Sequence, residues 1–133
     1  MLFRSVMADV RYVRTHYTVD PKRIVAHGSG VGGQMAYYLA INQREVIRGA
    51  APVGALLANN PKEPVPNQRV AFLVIAGAKD PLVKDIIKGQ QTLVEKKYHA
   101  IYREMKESGK EYVNDDFDVF KEMVRWMDTL DRQ

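Results

Sequence analysis

The stretch Val19-Asp20-Pro21-Lys22-Arg23-Ile24-Val25-Ala26-His27-Gly28-Ser29-Gly30-Val31-Gly32-Gly33-Gln34-Met35-Ala36 decides the fold of this chain. Asp20-Pro21 marks a turn, since proline presets its φ and aspartate bonds to nearby backbone. Arg23 to His27 reads as a short strand. It runs into the glycine cluster Gly28 to Gly33, and a helix follows with Met35, Ala36, Leu39 and Ala40 on one side. A strand, a glycine-rich turn and a helix in succession aim backbone N–H groups at whatever lies beyond the turn.

Working outward, Leu2, Phe3, Val6, Met7, Val10 and Val13 recur at helical spacing, so residues 2–16 read as an amphipathic helix. Downstream, residues 50–58 form a small-apolar run consistent with a buried strand. Residues 59–68 hold Pro61, Pro64 and Pro66 and read as a surface loop. Residues 69–76 give the clearest strand, an unbroken block of Val70, Phe72, Leu73, Val74 and Ile75 that ends at Gly77-Ala78-Lys79-Asp80-Pro81. A helix is predicted over 84–97 with Ile86, Ile87, Leu93 and Val94 buried. A strand over 99–105 alternates around Ile101. A last helix, capped by Asp115 or Asp116, turns Phe117, Phe120, Met123, Val124, Met127 and Leu130 inward. No internal repeat is found. Alternating strands and helices predict an α/β fold: a three-layer sandwich of about four parallel strands in sequential order with right-handed crossovers.

Composition narrows the function classes. The chain has 133 residues, 46% hydrophobic and 27% charged, which suits one ordinary globular domain over 1–133. No apolar run reaches the length of a membrane span, and residues 1–9 lack the apolar centre of a signal peptide, so the chain as given reads as soluble and cytoplasmic. With no cysteine there is no disulfide and no thiolate metal site. The net charge is +4, but acids and bases are interspersed, which argues against a nucleic-acid partner.

Two mechanisms use such a glycine turn. Gly28, Gly30 and Gly33 satisfy the dinucleotide-binding spacing, yet residues 49–58 hold no Asp or Glu to bind a ribose, and a helix precedes the motif strand. The other is the nucleophile elbow, G-x-S-x-G. Asp20, Arg23, Gly28, Gly32, Gly33 and Ala36 resemble the elbow region of α/β-hydrolases, the nearest groups being dienelactone hydrolases, prolyl-oligopeptidase-like enzymes and polyhydroxybutyrate-depolymerase-like esterases. Residues 70–83 resemble the strand and turn that carry the triad acid in that superfamily, and the closing Trp126-Met127-Asp128 resembles its last helix. The resemblance implies the carboxyl-terminal part of an α/β-hydrolase-like domain.

It also implies a degraded site. Gly30 falls at the nucleophile position and has no oxygen to attack with. Asp80 falls at the triad acid. The loop of residues 106–114, where the superfamily carries its histidine, has none. Asp80 is then expected to serve the turn before Pro81. Ser29, one residue early, is the alternative nucleophile, although it would put Val31 where a small residue belongs. A Ser29–His27 pair is disfavoured on the expectation that their side chains diverge, and His16, His27 and His99 are expected to be structural or solvated. The acids of residues 114–118 lack the glycine and distal glutamate of a calcium loop and read as a helix start. The leading function is thus a non-catalytic, hydrolase-like module within a larger protein. Its alternatives are a serine ester or peptide hydrolase using Ser29, and an anion or nucleotide site at the Gly28–Gly33 turn. No cofactor or metal is expected. The first strand would expose an unpaired edge, so a preceding domain or a second copy is expected to cover it.

Overall fold

A computed structural model describes residues 2–58, 61–106 and 117–130. Its elements run α1 (Leu2–His16), β1 (Val25–Ser29), α2 (Val31–Asn42), β2 (Gly49–Val53), β3 (Ala71–Gly77), α3 (Val83–Glu95), β4 (His99–Met105) and α4 (Phe117–Met127). The four strands form one parallel sheet in the order β1-β2-β3-β4. This is the predicted α/β architecture.

The pleat sorts side chains into two layers. Ala50, Phe72, Val74 and Ala76 face a core completed by Met7 of α1, Ala36, Leu39 and Ala40 of α2, and Ile86 and Leu93 of α3. Ala51, Val53, Leu73 and Ile75 face the other way, onto Val119, Met123, Trp126 and Leu130. With both faces covered, β2 and β3 are buried along their whole length. Trp126 sets the residue beneath it: a Cβ at Gly49 would meet its ring at 2.9 Å.

Several expectations need correction. β1 starts and ends two residues later than the apolar pattern suggested, because the backbone of Gly28 and Ser29 continues the ladder opposite Pro52 and Val53. β2 ends at Val53, short of residue 58. On α4 and the turn that follows it the inward residues are Val119, Met123, Trp126 and Leu130, whereas Phe120 and Val124 are exposed. Val94 and Ile101 are also exposed, and Ala100 is the buried member of its pair. The proposed helix cap at Asp115 or Asp116 lies outside the described residues.

The proline-bearing loop is fixed by a buried side chain, Arg44. Its Nε donates to the Ile41 carbonyl at 2.7 Å, Nη1 to the Glu63 carbonyl at 2.6 Å, and Nη2 to the Tyr98 hydroxyl at 2.5 Å. The Tyr98 hydroxyl donates to the Lys62 carbonyl in turn. One guanidinium therefore ties the end of α2, the loop and the approach to β4 together. No helix among the described residues is long and apolar enough to cross a membrane.

Candidate active site at the carboxyl rim of the sheet

β1 passes into α2 through a single residue, Gly30. Its φ of 57° and ψ of −119° lie where L-residues are strained. The Gly30 N–H donates to the Val53 carbonyl at 2.9 Å, and its own carbonyl accepts from Gln34 N–H at 3.1 Å, so the turn is anchored to β2 and to the helix at once. A Cβ on Gly30 would meet nothing within 4 Å. The residue at the apex thus points into open space.

The neighbouring glycines explain how so sharp a turn closes. A Cβ at Gly28 would lie 2.7 Å from the backbone of Gly32, and one at Gly33 would lie 2.6 Å from the Ala55 side chain. These two are glycines because the first turn of α2 crosses directly over β1 and β2. Gly32 itself has room for a Cβ.

Ser29 is the last residue of β1 and is exposed. Val31, at the first helical position, is 78% exposed, so the crowding expected there does not arise. His27 and Ser29 are two positions apart on a strand and therefore share a face; the expected divergence was wrong. Two strand steps still separate their Cα atoms by about 6.6 Å. His27 Nδ1 lies 2.7 Å from the Ala51 carbonyl, and because a carbonyl only accepts, Nδ1 carries the proton in that contact. The Phe120 ring meets the imidazole edge-on at 6.4 Å.

Asp80 sits beyond the end of β3 and is 2% exposed. Its Oδ1 accepts the Leu82 N–H at 2.9 Å, its carbonyl accepts the Val83 N–H, and its own N–H donates to the Gly77 carbonyl. This is the turn-making role expected of an aspartate before proline. Its Oδ2 is buried with no hydrogen-bond partner among the described residues. Nearby on β4, the Tyr102 hydroxyl donates to Glu104 at 3.0 Å, and burial, that bond and the Asp80 charge all push its pKa up.

The ends of β1 and β3 thus bring Gly30 and Asp80 to the same rim of the sheet, with Ser29 and His27 on the α4 face beside them. His16 lies apart, stacked on Tyr12 and bonded to its carbonyl. His99 starts β4, at the opposite rim. Residues 107–116, the loop without histidine, are outside the described residues. No group of three or more His, Cys, Asp or Glu poised for a metal occurs among those described.

Solved structures share this fold. A carboxylesterase from Bacillus cereus superposes with a TM-score of 0.71 at 17% identity, covering 96% of this chain and 59% of that one. An S-formylglutathione hydrolase from Staphylococcus aureus gives 0.71 at 17% identity, covering 92% and 58%. The dipeptidyl peptidase 4 of Porphyromonas gingivalis gives 0.71 at 12% identity, covering 94% and 22%. The chain therefore spans about three fifths of the length of these two esterase-class structures and about a fifth of the peptidase. No curated protein matches it in sequence. The dienelactone hydrolase family matches residues 2–101, three quarters of the chain, and the chain belongs to that family.

Proposed function

We propose that this chain is a catalytically degraded α/β-hydrolase-like module, serving as an interaction or structural part of a larger protein. The observation that carries the reading is Gly30. It occupies the strained apex between β1 and α2, the place of an elbow nucleophile, with a hydrogen for a side chain. Asp80 is the remnant of the triad acid, retained for its turn. The sequence offers no histidine between Tyr98-His99 and the chain end, so the acid has no imidazole to orient there.

Association is assigned to the outer edge of β1, which pairs with β2 on one side and with no strand on the other among the described residues. A preceding segment of a longer polypeptide or a second copy would cover it. Sedimentation of a stable monomer at high concentration would exclude the second copy.

Catalysis is tested directly with a fluorophosphonate probe read by intact mass. No adduct is expected on protein whose circular dichroism is native. The competing reading, a serine hydrolase, draws on Ser29 and His27 sharing a face. An adduct that maps to Ser29 and disappears in Ser29→Ala would establish that reading instead.

A further inference from the structure

At the amino-terminal rim of the sheet, opposite Gly30 and Asp80, the surface forms a half-open hollow of about 710 Å³. Lys22, Arg48, Arg69, Lys97 and His99 line it, and among the described lining residues there is no carboxylate. Val65, Val70 and Leu130 supply an apolar side. Three acids close by in sequence are engaged with other cations: Asp20 and Asp128 with Arg23, and Glu63 with Lys96. Four basic residues thus border one hollow with no carboxylate among its described lining residues, which gives it a positive potential.

Two of these cations show more than proximity. Arg48 is held in place by its backbone, which donates to Ile24 and accepts from Ala71, and its Nε is buried with no hydrogen-bond partner among the described residues. Lys97 is the one non-glycine residue with positive φ, 72°, among those described. Its N–H donates to Val94 and that of Tyr98 to Leu93, the bonds of a helix terminus whose left-handed position usually holds glycine. Lysine there brings a charge to the hollow at a conformational cost.

We propose that this cavity binds a small organic phosphate: one or two phosphate groups held by Arg48, Arg69, Lys22 and Lys97, with an apolar or aromatic body against Val65, Val70 and Leu130. The volume suits a ligand of that size. The site is independent of the elbow turn and of whether any hydrolase chemistry survives.

The experiment is an NMR titration of the isotopically labelled chain with pyrophosphate and with ADP at low ionic strength. Saturable shifts are expected at Arg48, Arg69 and Lys97, with ADP binding more tightly than pyrophosphate. Arg48→Gln should weaken both ligands about tenfold, the loss of one charge-assisted hydrogen bond. Lys97→Gly should weaken both while raising the melting temperature, which separates lost binding from lost folding. Absence of saturation, shifts confined to Gly28–Gly33, or unchanged affinity in both variants would overturn the site. Pyrophosphate binding more tightly than ADP would overturn the organic body.

Discussion

Gly28 lies so close beneath Gly32 that a Cβ on the first would sit 2.7 Å from the carbonyl carbon and oxygen of the second. The obstacle is backbone, which cannot swing aside as a side chain can. Gly28→Ala is therefore expected to cost about 1–3 kcal/mol, the range of core overpacking. Gly32→Ala meets nothing and lies in the first turn of α2, so it should stabilise by about 0.5–1 kcal/mol. Urea denaturation of the two variants checks the opposite signs.

Gly30 poses a different constraint, conformational rather than steric. Gly30→Ser places a side chain in open space but on a strained backbone, so the variant should fold with a loss of about 1–3 kcal/mol. Restoring the hydroxyl alone is expected to give no fluorophosphonate adduct at neutral pH, because residues 106–114 supply no histidine. Intact mass after incubation gives the answer.

Asp80→Asn separates a turn role from an electrostatic one. An amide oxygen can still accept the Leu82 N–H, so stability should stay within about 0.5 kcal/mol of the parent. Asp80→Ala removes that acceptor and should cost about 1 kcal/mol. A loss of several kcal/mol in the asparagine variant would mean that the carboxylate charge is engaged by a cation.

Tyr37 gives a pH dependence. Burial pushes its phenol pKa up, and its hydroxyl has no hydrogen-bond partner among the described residues. The unfolded chain therefore releases this proton first: the contribution is intact below about pH 10 and is lost as pH rises above it. Tyr37→Phe should raise the melting temperature by about 3 °C at neutral pH, by removing a buried unpaired group worth about 1 kcal/mol. It should also flatten the alkaline fall. Thermal scans between neutral and alkaline pH test both.

The order of elements and the parallel sheet were legible because each strand is apolar enough, and each turn polar or glycine-rich enough, to be read locally. The glycine cluster was read as one motif, but its members answer to different causes: Gly28 and Gly33 to crowding, Gly30 to φ and ψ, and Gly32 to neither. On α4 the polar face of Asp118, Lys121, Glu122 and Arg125 is plain, but the apolar arc opposite it is wider than the stripe the sheet covers, so that only its Val119, Met123 and Trp126 edge is buried while Phe120 and Val124 stay exposed. Ser29 and His27 share a face by simple alternation, which is legible in the strand period alone. The basic hollow could not be read at all, since Lys22, Arg48, Arg69 and Lys97 meet only when four chain segments reach the same rim.

The Arg44 clamp has a kinetic consequence. Residues 61–68 hold neither helix nor a named strand, and a loop of that kind ordinarily opens on its own, ahead of the rest of the molecule. Here its carbonyls at Lys62 and Glu63 are bound to a guanidinium and a phenol that belong to the interior. To release the loop, the end of α2 and the start of β4 must give way with it. Its opening is thereby coupled to that of the core, so protease attack at Lys62 reports on cooperative unfolding, and a segment that looks like surface behaves as part of the folding unit.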